Sequence, residues 1–128
     1  MSAAIKEEKA LRPISILPIF TAHEGKLEEV KTLLNESVAF AAKEPGTIEF
    51  TVACSAKEIF LREMYADAEA FKIHMKNVSE ILPRLLSMCS FDKLVVLGPK
   101  DQLDLIEDLV APFKDIATVL VTHAGHRK

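Results

Sequence analysis

The sequence contains no tryptophan, a single tyrosine and only two cysteines. Two thiols without CxxC spacing cannot supply a disulfide framework, so Cys54 and Cys89 are expected to be reduced, structural thiols in apolar surroundings. Long hydrophobic runs are also missing. The stretch from Ile14 to Phe20 is too short for a signal h-region or a membrane span and is interrupted by Pro18, so no membrane partner and a cytoplasmic location are the expectations. There is no basic block: 16 basic and 19 acidic side chains give a net charge of −3, spread along the chain. Nothing in that distribution attracts a phosphate backbone, and nucleic acid is not an expected partner. GxGxxG, P-loop, HExxH and nucleophile-elbow patterns are absent, which removes the minimal signatures of dinucleotide binding, phosphoryl transfer, zinc proteolysis and α/β-hydrolase chemistry.

What is present is a globular composition, 49% hydrophobic and 27% charged over 128 residues, enough for one domain with one core. Residues 1–13 read as a polar arm closed by Pro13. From Ile14 to Thr21 the chain is β-branched and apolar and reads as a strand, with Pro18 marking an edge, a bulge or a strand end. After Gly25, Lys26 to Lys43 places Leu27, Val30, Leu34, Val38 and Ala41 at helical spacing, with Glu28 and Glu29 near the positive end of the dipole. Pro45 and Gly46 stop this helix. Thr47 to Ala53 alternates Ile48, Phe50 and Val52 with polar residues, and Ile59 to Tyr65 follows as its hairpin partner.

Asp67 is a good N-cap for a second helix with Phe71, Met75, Val78, Leu82 and Leu85 on its apolar stripe, which Pro83 must kink or end. Phe91 to Leu97 reads as a fourth strand, stopped by Gly98 and Pro99. The order β-α-β-β-α-β predicts an α+β, ferredoxin-like domain over residues 14–98: a four-stranded antiparallel sheet with both helices on one face. The bare face needs a cover, and a second copy of the same sheet is the simplest one, so a homodimer is expected. Residues 99–128 form a C-terminal extension, with a helix carrying Leu103, Ile106 and Leu109, a break at Pro112 and strand character from Thr118 to Thr122. It is expected to pack on the domain or reach across the dimer.

The stretch Glu63 to His74, EMYADAEAFKIH, crosses from the third strand into the second helix. The spacing Glu63, Tyr65, Asp67, Ala70, His74, with Gly25 after the first strand and Pro45-Gly46 after the first helix, resembles the antibiotic biosynthesis monooxygenase family of dimeric α/β barrels. The likeness runs over about Ile14 to Gly98. Glu63 and His74 match the family pattern, while Tyr65 stands where a Trp is usual and Ser79 where many members have a second His. A haem-degrading branch uses an Asn, a Trp and a His at positions that correspond here to Pro18, His74 and Arg84, so that activity is not expected.

The resemblance implies oxygen chemistry without metal, flavin or other cofactor, in which a small aromatic quinol or phenol is deprotonated and its anion reduces dioxygen directly. Such a site needs an apolar pocket, a base and donors for the anion. His74 is the expected base, Glu63 its orienting group and Tyr65 a donor to a substrate oxygen. Phe20, Phe50, Leu61 and Phe71 are expected to wall the pocket. Phe60, of opposite parity on its strand, is expected at the dimer contact.

Plainer roles stand beside these: His74 satisfied by one hydrogen bond, Glu63 paired with Arg62, Lys72 or Lys76 at the surface, Tyr65 packing with its hydroxyl in water. His123 and His126 lack the neighbours that would complete a zinc shell, and a tail is the expected reading. Two other functions fit the same scaffold. One is a non-catalytic dimeric module holding a small apolar metabolite, and the other is a proton-transfer isomerase.

Overall fold

The computed structural model of the chain describes residues 12–128. Of the predicted arm, residues 1–11 lie outside the described residues. Strand β1 (Ile14–Ala22) is followed by helix α1 (Leu27–Ala42), the hairpin of β2 (Thr47–Ser55) and β3 (Glu58–Tyr65), helices α2 (Ala68–Asn77) and α3 (Ile81–Met88), and strand β4 (Cys89–Gly98). The extension adds α4 (Lys100–Leu105), α5 (Glu107–Val110), a 3-10 turn (Ala111–Phe113) and β5 (Ala117–Val121).

The sheet has five strands in the order β2-β3-β1-β4-β5, which corrects the expected four-stranded antiparallel sheet. Four strands pair antiparallel, but β5 pairs parallel with β4, from Leu94 opposite Ala117 to Gly98 opposite Val121. A parallel neighbour requires a crossover, and the α4–α5 segment supplies it, burying Leu103 and Ile106 against the domain. The extension therefore packs on its own domain. Leu109 is half-buried beside the same cluster.

Pro18 lies in a central strand, not at an edge or end. It pairs in regular register with Leu94 on β4; the β1–β4 register shifts beyond it, between Ile19 and Phe20, where the unpaired residue is Asp92 of β4. The buried stripe of α1 is Val30, Leu33, Leu34, Ser37 and Ala41; Val38, expected on it, is exposed. Ile48 is likewise exposed, because a register shift between Thr47 and Glu49 breaks the alternation of β2. Asp67 caps α2 by accepting from Ala70 N–H at 2.9 Å. The single second helix of the sequence reading is two helices, and Pro83 falls in the first turn of α3, where a missing N–H is tolerated.

Two apolar clusters fill the space between the sheet and its helices. One joins Phe20, Leu34, Leu61, Val78 and Leu85 beneath α1 and α3; the other joins Ile16, Tyr65, Phe71, Leu94, Leu103 and Ile106. Cys89 is buried, but Cys54 is exposed near the end of β2 instead of lying in apolar surroundings. On the other sheet face Phe60 is 49% exposed.

Candidate functional site

A cavity of about 650 Å³, counting its open mouth, lies where the two clusters meet. Its walls are apolar: Phe20, Phe50, Leu61 and Phe71, all four expected there, are joined by Pro18, Met75 and Phe91. The extension contributes Leu109 and Phe113, the latter packed on Phe91 with ring centroids 5.1 Å apart, so residues beyond Gly98 are part of the wall. Among the described lining residues the titratable groups are Glu63 and His74, and none is Lys or Arg.

The inward-facing parity of β3 puts Ile59, Leu61, Glu63 and Tyr65 on the helix side of the sheet. Glu63 is only 6% exposed, with Ile16 of β1 and Phe50 of β2 as its strand neighbours. It makes no surface ion pair with Arg62, Lys72 or Lys76; Arg62 pairs with Glu49 on the opposite face. The Tyr65 hydroxyl, buried and not in water, donates to Glu63 Oε1. Tyr65 thus stands behind Glu63 and is not among the cavity-lining residues. Burial pushes the Glu63 carboxyl up to about 7, against the Tyr65 hydrogen bond, and the nearby Glu44 charge adds to the rise. Burial and the Glu63 charge drive the Tyr65 phenol upward, so it stays protonated.

His74 is 3% exposed, on the inner face of α2. Its partner is not Glu63 but Glu44, from the α1–β2 loop, whose Oε1 lies 2.7 Å from Nδ1. Glu44 is itself 8% exposed and also accepts from Thr47 Oγ1 at 2.8 Å and from Asn77 Nδ2 at 2.8 Å. Burial alone would raise Glu44, but hydrogen bonds from Asn77, His74 and Thr47 together outweigh it and hold the carboxyl below its usual range. An ionised Glu44 accepts from Nδ1–H, which fixes the imidazole tautomer. Nε2 has no hydrogen-bond partner among the described residues. The ring lines the cavity.

Glu44 is the residue that sequence reasoning missed. It sits at a helix end 30 residues from His74, in a stretch that reads as a helix stop. The one local signal was Pro45-Gly46. A Cβ at Gly46 would stand 2.5 Å from the Ala70 Cβ, so only glycine lets the loop close on α2 and bring Glu44 within reach. Among the described residues no three His, Cys, Asp or Glu side chains gather as a metal site, and His123 and His126 lie in the irregular tail.

The family model described as antibiotic biosynthesis monooxygenase matches residues 13–79. No curated protein matches in sequence. The crystal structure of MupZ from Pseudomonas fluorescens superposes with a TM-score of 0.82 at 23% identity, covering 91% of this chain and 95% of that one. SnoaB from Streptomyces nogalater, described as a cofactor-independent oxygenase, gives a TM-score of 0.60 at 16% identity, covering 69% and 93%. Rv0793 from Mycobacterium tuberculosis gives 0.60 at 18%, covering 68% and 94%. At these identities the likeness is one of fold. The coverage by MupZ is too large to omit the extension, whereas the two shorter chains match about two thirds of this one.

Proposed function

Since the chain belongs to the antibiotic biosynthesis monooxygenase family, we propose that it oxidises a small aromatic quinol or phenol with dioxygen and needs no cofactor to do so. The observation that carries the reading is an imidazole held at Nδ1 by Glu44 that lines an apolar cavity, with Nε2 unpartnered among the described residues. In this reading His74 Nε2 takes the phenolic proton, and the imidazolium left behind stays beside the new anion, while Glu63 holds a second substrate oxygen. The electron-rich anion passes an electron to dioxygen and recombines with it at carbon. Loss of water then leaves one oxygen atom on the substrate as a carbonyl and the other in water. Four electrons reach dioxygen, all from the substrate. The apolar walls keep the anion from bulk water.

Family members are typically dimeric, and we place the dimer contact of this chain on the outer sheet face around Phe60. No helix among the described residues is long and apolar enough to cross a membrane.

The test is oxygen uptake by the metal-stripped protein with a panel of quinols and electron-rich phenols. Uptake above autoxidation is expected, falling roughly 100-fold or more in a folded His74→Ala variant. Uptake that His74→Ala leaves intact would remove His74 as the base. Carbon-deuterium exchange into a ketone without oxygen uptake would point instead to the proton-transfer isomerase, a reading favoured by one observation, the second titratable group at Glu63.

A further inference from the structure

Two carboxyl groups and one imidazole meet in an apolar interior, with no Lys or Arg among the described lining residues to balance them. Their surroundings differ sharply. Glu44 receives three hydrogen bonds, from His74, Asn77 and Thr47. Among the described residues Glu63 receives one, from Tyr65, and its strand neighbours Ile16 and Phe50 are apolar. In a low-dielectric interior the better-solvated carboxyl keeps the negative charge, and that charge opposes ionisation of the second.

We propose that Glu44 is a positioning residue that divides the cavity into a base and an acid: it presents the Nε2 lone pair of His74 to the ligand and leaves Glu63 holding a proton. The ligand that fits is uncharged, has an apolar body, and carries one hydroxyl that gives its proton to His74 and one oxygen that accepts a hydrogen bond from Glu63. An anionic ligand would bring another negative charge next to Glu44, with no Lys or Arg among the described lining residues to meet it. This assignment rests on the proposed function for its chemistry, but it concerns the protein before oxygen is involved. It holds equally for an isomerase.

The groups facing Glu63 are Tyr65 on its own strand, Ile16 on β1, Phe50 on β2, and across the cavity His74 and Glu44. Glu44 is thus the anion that titration of Glu63 reports.

The experiment uses the full chain without substrate. Nitrogen NMR of the imidazole ring reads the His74 tautomer, and infrared difference spectroscopy, assigned with Glu63→Gln, reads the protonated-carboxyl stretch of Glu63. The expected result at neutral pH is a neutral imidazole fraction carrying its proton on Nδ1, together with a protonated-carboxyl band for Glu63. In Glu44→Gln the tautomer preference should weaken and the Glu63 band should disappear at lower pH than in the parent, a shift that a merely structural Glu44 would not cause. Glu44→Asp retains the charge and serves if the amide variant does not fold; it should keep the Glu63 behaviour while loosening the tautomer. A His74 proton on Nε2 in the parent, or a Glu63 band indifferent to the charge at position 44, overturns the proposal.

The ligand class is tested with 1-naphthol and 1-naphthalenesulfonate, followed by the His74 ring signals. Naphthol should bind about tenfold or more tightly. Equal binding of the two probes, or binding of neither, overturns the uncharged-ligand assignment. Neither experiment consumes oxygen, so failure of the oxygenase reading leaves both outcomes interpretable.

Discussion

Glu63 shows how much a buried carboxyl costs. Its ordinary value of 4.5 is raised to about 7 by burial, so between those values the folded protein holds a proton that the unfolded chain has released. Stability therefore falls as pH rises through this window, by roughly 3 kcal/mol for a shift of this size. Glu63→Gln should remove that dependence. Urea unfolding of both proteins across the window should show the parent losing stability relative to the variant as pH rises, with the difference levelling off above pH 7. A constant difference across the window would mean that Glu63 ionises as in water. Glu44 has the opposite sign: its lowered carboxyl contributes stability above its ordinary range, and that contribution is lost on acidification.

At the scale of elements, the site depends on one close approach. Helix α2 is fixed by the Asp67 cap and held to the α1–β2 loop, where Ala66 N–H donates to the Gly46 carbonyl at 2.9 Å. Gly46→Ala would drive a methyl into Ala70. The loop must then move away, costing about 1–3 kcal/mol by overpacking and drawing Glu44 from His74. The expected signature is a lowered Tm together with loss of the His74 tautomer preference in the folded variant. An unchanged Tm would show that the loop gives way freely. The break between α2 and α3 is equally consequential. It turns α3 as a separate element, so that Ile81, Leu82 and Leu85 close the cavity beside α1.

For the whole molecule, the described residues fill the helix side and leave the outer sheet face bare. Phe60 is exposed there on β3, and Leu17 and Ile19 of β1 are only half-buried. A second copy covering these residues would stabilise both chains by removing apolar area from water. Phe60→Glu should convert a dimer into a monomer in light-scattering chromatography, because two carboxylates would be buried in a symmetric contact. A variant with the parent's mass would place the contact elsewhere.

The amino-acid order by itself determined the periodic elements: both strands of the β2–β3 hairpin, the α1 helix, the Asp67 cap and the βαββαβ order, because each depends on neighbours a few residues apart. It also marked Glu63 and His74, and parity along β3 separated Leu61 from Phe60. Only the tertiary structure decided what those residues touch. Glu63 and Tyr65 became a buried pair because β3 is central in the sheet and covered by helices. His74 found Glu44, not Glu63, because a glycine let a distant loop close on its helix. The fifth strand was legible as a strand but not as a parallel partner of β4, and Leu109 and Phe113 were not legible as cavity wall. Periodicity reports which face of an element is apolar; which carboxylate meets which imidazole, and which strand edge a tail selects, depends on contacts between residues far apart in the chain.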